Sequence, residues 1–173
     1  MEFYIAQGIS ILTLLAAILM MQCKNMKWLL VGQITSNFLT ALSYLLLNGL
    51  SGAGICLIAV LQSAVMFLYN RKEKPVHRPV LIGFILLYVL CSAYYYQSPV
   101  DIISGAAAIC FCISVTTRTA SASRRWFVFN PIGWMIYDIF TLAYGNLIMH
   151  LIVFISTLSA MIRLDGLFRK KNS

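Results

Sequence analysis

Asp138 is the one acid of this chain placed well inside an apolar stretch, which runs from Trp126 to Gly145. It lies about eight residues from the far end of that stretch, so on a helix it sits roughly 12 Å below the nearer surface at 1.5 Å per residue. An ionised carboxylate in hydrocarbon is costly without a partner, so it should be protonated, hydrated in a cavity or paired. His150, about one turn into the next apolar stretch, is the candidate partner. Three roles stay open for Asp138: an acid that couples protons or ions together with His150, a ligand contact, or a buried structural hydrogen bond.

Two polar stripes accompany it. Gln33, Ser36, Asn37, Thr40 and Tyr44 recur at spacings of three and four, and so do Asn130, Trp134, Tyr137, Asp138 and Thr141; each set falls on one face of a helix. In one reading the stripes face each other across a central pore, and Gln33, Asn37, Tyr44, Asn130, Trp134, Tyr137 and Asp138 bind a small polar solute. Amides and hydroxyls would replace its lost water, and the aromatic rings would stack on its apolar face. In the other reading the polar groups join helices, at about 0.6 to 2 kcal/mol each, without touching a ligand. Ser36 and Thr40 fit the second reading better; Asn37 and Trp134 fit both. Gly8, Gly32 and Pro131 are hinge candidates, Pro131 because it frees the carbonyl one turn earlier.

The elements that must position these groups are seven apolar stretches, Tyr4 to Gln22, Trp28 to Leu47, Ala53 to Tyr69, Pro79 to Tyr96, Ile102 to Thr117, Trp126 to Gly145 and Leu147 to Ile162. Each is close to the length of a membrane-crossing helix. All thirteen Lys and Arg residues can then be threaded onto one side. Lys24 and Lys27 fall between stretches one and two, Arg71, Lys72, Lys74 and Arg78 between three and four, and Arg118, Arg124 and Arg125 between five and six. Arg163, Arg169, Lys170 and Lys171 follow stretch seven. The other connections, Asn48 to Gly52, Gln97 to Asp101 and a Gly145-Asn146 turn, hold no base, which places the N-terminus outside and the C-terminus in the cytoplasm of a multi-pass membrane protein. The first stretch lacks a basic leader and a small-x-small cleavage pattern, so it is expected to stay as helix one.

Composition narrows the function classes. With 61% hydrophobic and 10% charged residues and a mean hydropathy of +0.85, no folded extramembrane domain fits. The net charge of +8 is dispersed over four segments, so its partners are anionic lipid headgroups rather than nucleic acid. Cys23, Cys56, Cys91, Cys110 and Cys112 have neither metal-ligand spacing nor a disulfide framework. No nucleophile, base and orienter fall into an enzymatic arrangement, and no phosphate-binding Gly loop or cofactor motif is present. No enzyme activity, metal or cofactor is expected.

Shifting the second stretch by 98 positions lays Lys27-Trp28 on Arg125-Trp126, Ile34 on Ile132 and Asn48 on Asn146; the same shift lays Ile5 on Ile103 and Ile11 on Ile109. The fold expected is therefore all-α, with two parallel three-helix repeats joined by a linker helix. Residues 1–70 form the first repeat, 71–98 a cytoplasmic loop and linker, and 99–173 the second repeat within a single transmembrane domain. Repeats of this kind place a solute site between the halves near mid-membrane. One chain with both repeats is a complete unit, which favours a monomer.

The chain resembles the YgjV-type bacterial inner-membrane family through Ile5-Ala6-Gln7-Gly8, Gln22-x-Lys24, Gln33-x-x-Ser36-Asn37 with Ala41 and Tyr44, Gly52-Ala53, Trp126 and Met161-Ile162-Arg163. It departs from that pattern at Ser43, where a His is expected, and at Gln62-Ser63, where an Arg-Asn pair is expected. The family is similar in plan to the PQ-loop, SWEET and nicotinamide-riboside transporters, and that likeness implies movement of small polar solutes by fold-level analogy. The function expected is a small polar solute transporter or facilitator. The alternative is a non-transporting membrane assembly or regulatory subunit with the same fold.

Overall fold

The computed structural model describes residues 2–46, 50–72, 76–96, 99–140 and 144–165. It places helices α1 (Glu2–Met21), α2 (Met26–Leu46), α3 (Leu50–Arg71), α4 (Arg78–Tyr94), α5 (Val100–Thr116), α6 (Ala120–Phe127), α7 (Phe129–Phe140) and α8 (Tyr144–Asp165), with no strand among the described residues. Counting α6 and α7 as one broken helix recovers seven. By length and composition Met26–Leu46, Leu50–Arg71 and Gly145–Asp165 can each cross a membrane, while Leu12–Met21, Arg78–Tyr94 and Val100–Thr116 are shorter apolar helices.

The side chains are distributed for an apolar solvent. Leu12, Leu19, Phe38, Leu61, Leu90 and Ile155 point outward, whereas Gln33, Gln62, Ser63, Asp138 and Thr157 are buried. Hydrocarbon offers polar groups no hydrogen bonds, so they turn to other helices while Leu and Ile cover the outside.

Packing follows a closed circuit. α1 contacts α2, α2 contacts α3, α3 contacts α5, α5 contacts α7, α7 contacts α8, and α8 returns to α1. Within residues 2–71, α2 is the middle helix; from α5 onward α7 holds that place. α4 stands beside the ring against α3 and α5. The sequence offers no strongly polar residue to hold α4, yet Tyr88 is fully buried and its hydroxyl donates to Gln62 Oε1 at 3.0 Å. Gln62 Nε2 in turn donates to the Cys112 carbonyl at 3.0 Å, so one amide ties α3, α4 and α5 together. α1 and α2 approach so closely at Gly32 that a Cβ there would lie 2.3 Å from Met20 Cβ.

Three expectations change. The sixth stretch does not open as a helix at Trp126. Instead Thr119 caps α6 by accepting from the Ala122 N–H at 3.2 Å, and Trp126 lies near that helix's end. Pro131, in the first turn of α7, has no N–H for the Phe127 carbonyl, and its ring crowds that carbonyl, so the helix breaks at Val128. Gly145 and Asn146 are not the turn but belong to the first turn of α8; residues 141–143, with Thr141, lie outside the described residues. Gly52 likewise lies in the first turn of α3, where a Cβ would meet the Tyr44 ring at 3.0 Å.

The basic residues of the connections are also more than a topology signal. Arg124 is 2% exposed and grips the Asp165 carboxylate through Nε at 2.9 Å and Nη2 at 2.5 Å. Its Nη1 donates to the Met21 and Cys23 carbonyls at 3.4 and 2.9 Å. These are carbonyls that the end of α1 leaves without partners, and a cation there also suits the helix dipole. Gln22 Nε2 donates to Ser156 Oγ at 3.0 Å, and Arg163 donates to Gln22 Oε1. The C-terminal ends of α1 and α8 and the whole of α6 thus meet at one end of the ring.

Candidate functional site

The ring surrounds a partly open cavity of about 60 Å³ whose wall takes residues from α1, α2, α3, α5, α7 and α8, with Tyr88 entering from α4 and Phe127 from α6. Of the stripe residues, Gln33, Asn37, Tyr44, Asn130 and Trp134 line it, as do Ser36 and Thr40. Tyr137 and Asp138 are not on the wall. Tyr137 packs edge-on against Trp134, with centroids 5.6 Å apart, and Asp138 stands behind His150. The two stripes therefore meet at one cavity, with Tyr137 and Asp138 of the second stripe one layer back.

His150 and Asp138 are paired, as the sequence suggests. His150 Nδ1 lies 2.7 Å from Asp138 Oδ2, and Asp138 is fully buried. Asp138 occupies Nδ1 and orients the ring, so that Nε2 is the ring nitrogen the pair does not use. His150 is itself part of the cavity wall. Its ring stacks on Trp134 at 5.9 Å and 14°, and Trp134 stacks on Tyr44 at 6.3 Å and 27°. Three nearly parallel rings from α2, α7 and α8 thus gather beside the buried acid.

The amides divide into satisfied and unsatisfied groups. Asn130 Nδ2 donates to the Ala107 carbonyl at 2.9 Å and joins α7 to α5. Asn37 Nδ2 donates to the Gln33 carbonyl at 2.8 Å and to Gln33 Oε1 at 3.2 Å. Thr40 donates to the Ser36 carbonyl at 2.8 Å and Ser36 to the Gln33 carbonyl at 3.4 Å. The glue expected between helices is, for Asn37 and Thr40, back-bonding within α2. Ser36 also lies 3.9 Å from Met20 Sδ on α1.

Gln33 Nε2 is buried without a hydrogen-bond partner among the described residues, whereas the buried Tyr44 hydroxyl has the Asn146 side chain beside it as a hydrogen-bond partner. Buried polar groups almost always have a partner, so the Gln33 NH2 group needs an acceptor that the described residues do not supply. Of the hinge candidates, Gly8 lies within α1, Gly32 at the close α1–α2 contact, and Pro131 just beyond the helix break.

Sequence reasoning missed the Arg124–Asp165 pair and the Tyr88–Gln62 bond. Asp165, an acid close to the basic tail, was the available signal for the first. Nothing in the spacing of α4 signals the second.

The family model for Imp-YgjV, a bacterial inner membrane protein, matches residues 4–167, and the chain belongs to that family. No curated protein and no solved structure matches it.

Proposed function

We propose that this bacterial inner membrane protein carries a small polar solute through a site between two three-helix units, α1–α3 and α5–α8, with α4 as the linker that gives both units the same orientation. The observation that carries the reading is the cavity inside the six-helix ring, with a buried NH2 group on Gln33 that has no acceptor among the described residues. Two further features support it. α2 and α7 occupy equivalent places between their neighbours, and the seams between the units, α3 with α5 and α8 with α1, correspond when one unit is laid on the other. Site and seam positions of this kind belong to transporters built from parallel repeats.

The crossing direction rests on the bases. Arg124 and Arg163 gather at the end of the ring where α1 and α8 finish, which fits a cytoplasmic face by the positive-inside rule. His150 and Asp138 lie towards the other end and form the pair through which a proton would couple to solute movement.

The non-transporting subunit draws on the cavity's narrowness, since tightly packed polar stripes need no solute. A thermal-shift screen of the detergent-purified protein against sugars, nucleosides, vitamins, amino acids, polyamines and small amides separates the two. A ligand that binds only the folded state raises its Tm as concentration passes Kd. Transport predicts a saturable shift that Trp134→Ala abolishes while remaining folded. A flat response to the whole panel, with Trp134→Ala merely less stable, favours the subunit.

A further inference from the structure

The orientation of one side chain limits what the cavity can accept. Asn37 donates to the backbone carbonyl of Gln33, so the atom making that bond must be its nitrogen. That same nitrogen also meets the side chain of Gln33, so the Gln33 atom facing it must be the oxygen. The assignment of the second amide follows from the first. Gln33, 1% exposed, therefore holds its NH2 group, two donors, without an acceptor. At the other end of the cavity stands His150, which forms part of the wall; Asp138 occupies its Nδ1, so Nε2 is the ring nitrogen that can meet a solute.

Charge limits the cavity as well. Besides His150 the titratable groups on the wall are Tyr44, Cys56 and Tyr88, with Asp138 against His150 and Tyr137 against Trp134. None of them is basic, and Arg124 is committed to Asp165 and to the end of α1. An anion would find no Lys or Arg on the wall. A cation would have to compete with His150 for Asp138. Size adds a third limit, since 60 Å³ holds about four to six water molecules.

We infer that the solute is a neutral molecule of about four to six non-hydrogen atoms that carries a hydrogen-bond acceptor for Gln33 and a second polar group for His150. Short amides, ureas and small polyols have this chemistry; free sugars, nucleosides and amino acids are too large or charged. The inference rests on the transport reading and narrows it.

Osmotic shrinkage and swelling of proteoliposomes in stopped-flow light scattering tests it, with protein-free vesicles as the baseline. The probes are urea, acetamide and glycerol, their charged counterparts guanidinium and acetate, and the larger neutral sugars ribose and glucose. The expected result is faster equilibration of the small neutral probes alone, slowed about fivefold in Gln33→Leu by the loss of one hydrogen bond. His150→Phe, which keeps a ring against Trp134, should slow them too, with circular dichroism confirming that both variants are folded. If sugars or ions equilibrate faster than baseline and urea does not, the solute class is wrong while transport stands. If small neutral probes move equally well in wild type and both variants, the assignment to Gln33 and His150 is wrong. If no probe exceeds baseline with folded protein, the transport reading fails and takes this inference with it.

Discussion

Removing the Arg124 side chain should damage the fold far more than removing the whole ion pair. In Arg124→Met the Asp165 carboxylate, whose side chain is only 8% exposed, loses both guanidinium bonds, and the Met21 and Cys23 carbonyls lose their donor. Breaking a buried pair from one side costs about 3–5 kcal/mol, because the remaining charge is left uncompensated. In Arg124→Met/Asp165→Leu no charge is stranded. What remains is the loss of the bonds to the two carbonyls, about 1–3 kcal/mol at the usual value of a bond from a charged donor. The double variant should therefore recover roughly 2 kcal/mol over the single one. Equilibrium unfolding in mixed micelles, with increasing SDS and tryptophan fluorescence as the readout, measures the difference. A single variant within about 1 kcal/mol of wild type, or a double variant no better than the single, would refute the idea that this buried pair locks the ends of α1, α6 and α8.

Other substitutions test the remaining contacts. Gly32→Ala should destabilise by about 1–3 kcal/mol by overpacking, since its Cβ would fall 2.3 Å from Met20 Cβ; Met20→Ala should give no relief, because that Cβ stays, and the same SDS titration checks both. Tyr88→Phe leaves Gln62 Oε1 without its buried donor and should cost about 1–2 kcal/mol, read as an earlier unfolding midpoint. Gln33→Leu removes a buried NH2 group without an acceptor but also the Oε1 that accepts from Asn37; the two offset, so stability should change by less than about 1 kcal/mol while solute uptake falls, and a larger loss of stability would make Gln33 a structural residue. Single cysteines at Lys24 and Arg71 in a cysteine-free background should be labelled by an impermeant maleimide only in inside-out vesicles, and labelling in right-side-out vesicles would reverse the proposed orientation.

Much of the fold is legible in the sequence because the bilayer simplifies the reading. Apolar length gives the helices, and the starts and ends of α1, α2, α4 and α5 fall within about two residues of the stretches, as is usual for helix boundaries. The Asp138–His150 pair is legible for the same reason: a lone acid at that depth needs a partner, and one basic ring lies within reach across a hairpin. Both polar stripes reach a common cavity because three- and four-residue spacing fixes a helix face. What spacing cannot give is the partner of each polar group. Asn37 and Thr40 turn back to α2 and Asn130 reaches α5, choices made by local backbone geometry and by which neighbour comes close. Arg124 reads as one more base in a loop until Thr119 starts a short helix that brings it against α1 and α8. The break at Val128 was half visible through Pro131, whose missing N–H was clear while the separate helix α6 was not.

The central claim is that solution reaches the ring's interior during the protein's working cycle, and cysteine accessibility along α2 tests it most directly. In a cysteine-free background Thr40→Cys lies on the cavity wall, while Phe38→Cys lies on the outward face, where Phe38 is 48% exposed. In membranes a small, water-soluble methanethiosulfonate should modify the residue at 40 and spare the one at 38, because thiols at a lipid-facing site are poorly ionised and rarely meet the reagent. Modification at neither position, in protein that binds the reagent normally after denaturation, would contradict a solute path and leave the six-helix ring a closed scaffold.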